Sequence, residues 1–255
     1  MVLKDRSTQV LDHGYVTYVE GWGSDEIIIE SARMSTNKGF QGWGPTHSKE
    51  CQDISRSDWV DGCICNVDHP GDEKLLAYLY THNHMTPFEM AGMTIEVQAP
   101  IMVFREWHRH RTQSYNEMSG RYTELPNLYY IPSFERLREG KQSQANKQGS
   151  SSGLDDATIG AVQSAIISST NQARAQYEWM LSKGVAREIA RLVLPANQYS
   201  RMRASANLRN WLAFLTLRMA PGAQWEIRQY ANVVASLVEE RFPRTYALFK
   251  EGRVE

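Results

Sequence analysis

Beyond residue 156 the apolar residues recur almost entirely at three- and four-residue steps, and that period constrains the fold more than any other feature of the chain. Ile159 to Leu181 reads as a long amphipathic helix, and Val185 to Leu194 as a shorter one stopped by Pro195. Ala204 to Met219 and Gln224 to Arg241 read as two more, separated by Pro221 and Gly222. The strands are therefore expected earlier. Val10 to Glu20 carries β-branched and aromatic residues in partial alternation. Met93, Ile95 and Val97 alternate with Thr94, Glu96 and Gln98, the two-residue period of a half-buried strand. Between these, Ser24, Asp25 and Glu26 offer an N-cap and an acidic first turn for a helix to about Met34. Leu75, Leu76, Leu79 and Tyr80 place another helix over Lys74 to Asn83, and Pro100 suits the first turn of one running from Ile101 to about Thr112. The sum is an α+β chain, a small antiparallel sheet with several long helices.

Two stretches break the pattern. Asn37 to Gly71 scatters Gly, Pro, Asp and Trp without a period and reads as an insertion or long loop. Lys141 to Asp156, KQSQANKQGSSSGLDD, has the composition of a flexible linker. Neither side of that linker has enough amphipathic segments for a core of its own, so one interwoven domain over residues 1–255 is the expectation. With 28 Lys and Arg against 29 Asp and Glu, the net charge is −1, which gives no overall field to attract nucleic acid or anionic lipid. No run approaches the roughly 18 apolar residues that span a bilayer. The first residues lack the apolar core of a signal peptide, and three cysteines, an odd number, suit a reducing cytoplasmic setting better than a disulfide framework.

The charge total conceals a local cluster. Arg105 to Arg121, REWHRHRTQSYNEMSGR, holds four arginines and two histidines but only two acids, Glu106 and Glu117. The segment after the expected helix supplies hydroxyls, an amide and free backbone N–H groups through Ser114, Asn116, Ser119 and Gly120. Guanidinium forks with such donors are suited to phosphate oxygens. A solvated basic helix face is the alternative, although it gives no reason for Trp107 and two histidines. Arg191 and Arg218 lie in apolar helical runs, where an unpaired Arg is costly, so each is expected to meet a partner or an anion. Glu188 is one candidate partner for Arg191.

These residues carry a resemblance. Arg109, His110 and Arg111, followed after seven residues by Ser119, give RHRTQSYNEMSGR, which resembles the signature of flavin-dependent thymidylate synthases. HMTPFE from His84, LVLPANQYSR, AQWEIRQYA and the early VLDHGYV and SARMS agree with it. The resemblance implies a homotetramer that binds FAD and makes dTMP from dUMP, with methylenetetrahydrofolate as carbon donor and NADPH as reductant. It implies that Arg109, His110 and Arg111 bind FAD, with Ser35, Thr86, Glu117, Asn207 and Arg209 completing the site across subunits. It places Glu117, Met118, Ser119, Gly120 and Arg121 around dUMP, together with Glu106, Arg109 and Arg191. Arg218 would face the uracil and favour ionisation at its ring N–H, and His84 would lie near the flavin ring.

None of Cys51, Cys63 and Cys65 lies near the arginine-rich segment, and no recognisable base accompanies Ser119, so a covalent nucleophile is not expected. Four positions depart from the family: Glu106 stands where Gln is common, Met90 and Gly222 where histidines occur, and Ala213 where Asn occurs. An acid near a nucleotide phosphate repels it unless protonated, turned away or paired, with Arg105 as the neighbouring candidate. Three alternatives stand beside this reading. His47, Cys51, Cys63, Cys65 and His69 could ligate a metal, but their spacing is not a standard zinc pattern, so no metal is expected. The arginine cluster could bind nucleic acid, against which the net charge and Glu117 argue. A related flavin enzyme acting on a modified pyrimidine nucleotide is the third.

Overall fold

The computed structural model describes residues 7–44, 71–143, 150–151 and 153–253. It is α+β, as the periodicity requires. Strand β1 (Ser7–Val10) turns back into β2 (Gly14–Trp22), and β3 (Gly92–Pro100), β4 (Ser114–Glu117) and β7 (Tyr199–Asn207) complete a five-stranded sheet in the order β1-β2-β3-β7-β4. Both edge pairings are antiparallel, Ser7 opposite Thr17 and Ser114 opposite Ser205. A second small ladder joins β5 (Lys141–Gln142) to β6 (Ser150–Ser151) inside the stretch read as a linker.

The helices are α1 (Asp25–Arg33), α2 (Asp72–Thr81), α3 (Ile101–Trp107), α4 (Phe134–Arg138), α5 (Asp156–Ser182), α6 (Arg187–Ala190), α7 (Leu208–Arg218), α8 (Trp225–Arg241) and α9 (Pro243–Glu251). Their starts follow local chemistry. Ser24 Oγ accepts from Ile27 N, and Asp155 Oδ1 accepts from Thr158 N at 2.8 Å, so α1 and α5 begin at side-chain caps. Asp25, buried in the first turn of α1, accepts from Arg244 N and from Thr245 N and Oγ1, and so also caps α9.

Four expectations need correction. The helix expected from Ala204 starts at Leu208; the preceding Tyr199–Asn207 is β7, in which Met202, Ala204 and Ala206 are buried while Arg201 and Arg203 are exposed. A two-residue alternation is legible there. The helix from Ile101 ends at Trp107, five residues early, because the Tyr115 hydroxyl lies against the carbonyls of Trp107 (3.1 Å) and His110 (2.8 Å), fixing the chain in a non-helical turn. The segment beyond it, read as a loop, contains β4. The run from Val185 is a single α turn followed by a 3-10 turn, Arg191–Val193.

The chain packs as two compact units. The first, Met1–Glu20, Met93–Ala206 and Ala213–Ala235, contains most of the sheet and buries Ile95, Val97, Phe104, Trp107, Phe214 and Tyr230. The second, Gly21–Gly92, Asn207–Leu212 and Ser236–Glu255, buries Ile28, Leu76, Phe88, Trp211 and Phe242. Of the insertion expected over Asn37 to Gly71, residues 45–70 lie outside the described residues. Among the described residues no helix is long and apolar enough to cross a membrane.

Candidate functional site

In the first unit, α3 presents two chemically different faces. Ile101, Phe104, Arg105 and His108 recur at helical spacing and line a cleft of about 600 Å³, opposite Glu117, Met118, Ser119, Gly120 and Arg191. That size suits a nucleotide-sized ligand. The turn after β4 is held by Met118 N donating to Arg201 O at 2.8 Å and by Tyr122 and Thr123 N–H groups donating to Ser119 O. Ser119 Oγ accepts the Arg121 N–H at 3.3 Å, and among the described residues no imidazole or carboxylate is hydrogen-bonded to it. A hydroxyl so placed has no neighbouring base to activate it as a nucleophile. Gly120 packs beside the Arg191 stem: a Cβ there would stand 3.5 Å from Arg191 Cδ, an ordinary contact.

Arg191 is exposed toward this cleft, contrary to its expected burial in a helix. Glu188 does not partner it; Glu188 Oε2 takes the Arg121 Nε–H at 3.1 Å instead. Among the described residues neither Arg105 nor Arg191 has a carboxylate within ion-pair distance. The cleft therefore brings two guanidinium groups without ion-pair partners among the described residues beside Ser119, Gly120 and His108, with Glu117 as the carboxylate in its lining, an arrangement that can receive a dianionic phosphate. Arg105 and His108 were not singled out as ligands from the sequence. Their signal was the i, i+3, i+4, i+7 spacing with Ile101 and Phe104.

A second cluster lies at the other side of α3. Arg218, in the last turn of α7, donates from Nε to His110 Nε2 at 2.9 Å, from Nη1 to Glu106 Oε2 at 2.6 Å, and from Nη2 to the Glu106 carbonyl at 2.7 Å. Three of its five N–H groups are thereby used. A guanidinium only donates, so His110 Nε2 accepts and the ring proton sits on Nδ1. Burial and the adjacent Arg218 charge, opposed by Glu106, depress the His110 pKa to about 4, keeping the ring neutral. The His110 ring also meets Phe214 edge-on at 4.9 Å, and Phe214 stacks on Trp107 at 4.6 Å. Glu106 thus pairs with Arg218, not with Arg105 as its sequence neighbour suggested. Glu106 and Arg218 are absent from the lining of the cleft that contains Arg191 and Ser119. Arg109 and Arg111 project from the turn after α3, exposed and without an ion-pair partner among the described residues.

His84, Ser35, Thr86, Asn207 and Arg209 belong to the second unit. Exposed His84 meets Tyr78 edge-on at 5.6 Å, and Tyr78 stacks on His82 at 4.1 Å. Ser35 Oγ donates to Ala32 O, Thr86 opens a 3-10 turn to Met90, and Arg209 pairs with Glu89. Asn207 Oδ1 accepts from Asn210 N at 3.0 Å and so caps α7. The exposed forks of Arg109 and Arg111 and the neutral His110 ring fit a group bearing a diphosphate and a flat aromatic system. Among the described residues no cluster of His, Cys, Asp or Glu could hold a metal, and the candidate ligands His47, Cys51, Cys63, Cys65 and His69 lie outside them.

Comparison with known proteins places the chain in a family. Residues 17–244 match the model of the family described as thymidylate synthase complementing protein. The flavin-dependent thymidylate synthase of Thermus thermophilus is 40% identical over 246 residues, 96% of this chain and 79% of that protein. That of Wolbachia pipientis is 38% identical over 247 residues, 97% of this chain and 77% of the relative. Among solved structures, a UMP/dUMP methylase, PolB from Streptomyces cacaoi bound with 5-Br dUMP, superposes with a TM-score of 0.76 at 29% identity, covering 96% of this chain and 97% of that one.

Proposed function

The chain belongs to the flavin-dependent thymidylate synthase family, and from that premise we propose how its own residues divide the work of methylating dUMP. The reaction is the reductive methylation of dUMP to dTMP, with FAD as cofactor and methylenetetrahydrofolate and NADPH as cosubstrates. When bound, FAD supplies the redox chemistry of carbon and hydride transfer. The protein supplies position and charge.

Arg191, Ser119, Gly120, Met118 and Glu117 hold the nucleotide in the cleft, and Arg105 of α3 and His108 at its C-terminal end contribute. The single observation that carries this reading is the pair of guanidinium groups, Arg105 and Arg191, left without ion-pair partners among the described residues around a cleft of about 600 Å³. Arg218 meets the pyrimidine edge, where its two remaining N–H groups offset the negative charge that develops as the ring is activated. Arg109 is shared between nucleotide and FAD phosphates, His110 and Arg111 bind FAD, and Arg121, paired with Glu188, closes the nucleotide turn. Ser35, Thr86, Asn207 and Arg209 complete the flavin site, with His84 near the flavin ring. One protomer presents its nucleotide-binding groups on two faces of α3, which supports a homotetramer whose sites are completed by neighbouring subunits. Residues 1–255 act as one synthase domain, working in the cytoplasm on small molecules, with no nucleic-acid or membrane partner.

Purified protein should show a flavin absorbance band; a colourless preparation that cannot be loaded with FAD contradicts the assignment. Because the solved relative is named for both UMP and dUMP, competition between the two nucleotides tests the sugar preference. Turnover of UMP at the rate of dUMP would replace the deoxynucleotide reading with a broader pyrimidine one.

A further inference from the structure

Glu106 binds Arg218 through one carboxylate oxygen and leaves the other available. Only Oε2 is engaged by the guanidinium, at 2.6 Å, while the side chain is 42% exposed and Oε1 has no hydrogen-bond partner among the described residues. Arg218 likewise retains one N–H on each terminal nitrogen. The pair thus offers, side by side, a group that only accepts and a group that only donates. The complementary edge is a ring N–H next to a carbonyl, which uracil presents and cytosine does not: cytosine has a bare ring nitrogen next to an amino group.

We propose that Glu106 Oε1 accepts the ring N–H of the bound uracil and takes its proton as the ring is activated. The inference rests on the assignment of Arg218 to the pyrimidine. In the step, the ring N–H bond breaks heterolytically and its proton passes to Oε1. The electron pair stays on the ring, spread over the nitrogen and the adjacent carbonyl oxygens. The remaining Arg218 N–H groups bind that charge. A carboxylate is a weak base for such a proton and pairing with a guanidinium weakens it further, so the transfer depends on the hold of the remaining Arg218 N–H groups on the ring anion.

The other titratable groups packed around this pair do not supply the proton step. His110 Nε2 is occupied by Arg218, and burial with the Arg218 charge holds its pKa at about 4. Tyr115, on β4, donates to the His110 carbonyl, and burial pushes its hydroxyl far above the ordinary phenol range. Neither changes charge between neutral and mildly alkaline pH. Any pH dependence gained there by a Glu106 variant belongs to the substrate N–H.

The test is kcat/KM for dUMP against pH in wild type, Glu106→Gln and Arg218→Ala, each loaded with FAD to the same stoichiometry. In Glu106→Gln the single amide oxygen is needed by Arg218, which turns the NH2 toward the pyrimidine and removes the proton acceptor. We expect a loss of about 10²- to 10³-fold near neutral pH, recovered progressively as pH rises and solvent takes the proton, while the wild-type profile stays nearly flat. A Glu106→Gln profile parallel to wild type, whatever its height, overturns the proposal. Arg218→Ala separates the premise: sustained turnover there removes the arginine from the pyrimidine, whereas a dead Arg218→Ala beside a parallel Glu106→Gln profile refutes the role of Glu106 alone. A second measurement needs no variant. Ring-N-methylated dUMP, which lacks the donor and directs a methyl group at Oε1, should compete with dUMP at least about 10-fold more weakly than dTMP does, and equal competition contradicts the contact.

Discussion

Replacing Arg191 with alanine separates binding from chemistry. The side chain is exposed toward the cleft and has no carboxylate partner among the described residues, so truncation leaves no buried charge behind. Stability should change by no more than about 0.5 kcal/mol, the range of ordinary surface substitutions. Binding should suffer more. A hydrogen bond to a charged group contributes about 1.5 to 3 kcal/mol, which corresponds to a roughly 10- to 150-fold weaker hold on the nucleotide phosphate. The phosphate is remote from the reacting carbon and is held equally before and during the reaction, so the loss should appear in KM with kcat nearly unchanged. Steady-state kinetics with dUMP as the varied substrate, beside a thermal unfolding scan, measure both quantities. A variant with unaltered KM, or one losing kcat and kcat/KM equally, refutes the placement of the phosphate beside Arg191.

Gly14→Ala should destabilise the protein by about 3 kcal/mol or more in chemical denaturation, because a Cβ there collides with the Tyr230 hydroxyl and stands 2.6 Å from Val10 O and 2.8 Å from Gln98 O. Glu226 is buried; burial raises its pKa, but Arg136 at 2.8 Å and Gln224 at 2.9 Å outweigh that and hold it below the ordinary value. A depressed folded pKa contributes stability that is present above the unfolded value and lost as pH falls through the folded one. Glu226→Gln should therefore cost about 3 kcal/mol near neutral pH and flatten the acid side of the stability profile, measured by unfolding at a series of pH values. Cys51, Cys63 and Cys65 should be replaceable together by alanine with dTMP formation retained; loss of turnover with normal FAD content would bring a thiol into the mechanism.

The elements legible in the sequence are those whose causes are local. Ser24 announces α1 because a cap acts within three residues, the three- and four-residue steps of Ile159 to Leu181 announce α5, and Met93 to Val97 announces β3 through its alternation. The misread elements had causes elsewhere. The period of β7 is interrupted at Asn207 by the start of α7, and an alanine-rich stretch at that junction reads as helix until Arg201 and Arg203 are seen as one face. The early stop of α3 depends on the Tyr115 hydroxyl, which reaches back from β4. Side-chain partners were less legible still. Glu106 and Arg218 are 112 residues apart, and no sequence period predicts their pairing. Glu188 and Arg191 look like helical neighbours, but the α turn ends at Ala190 and Arg191 enters a 3-10 turn, which frees Glu188 for Arg121. The arginine-rich segment made the candidate groups on and after α3 readable in the sequence; their division between the two faces of that helix was not.

The most direct test of the function is mass analysis of the nucleotide after anaerobic incubation of the FAD-loaded protein with dUMP, methylenetetrahydrofolate and NADPH. The expected product is one methylene heavier than dUMP and identical to dTMP, formed only when flavin and folate are both present. An unchanged nucleotide, a hydroxymethylated one, or equal conversion without flavin would contradict the assignment.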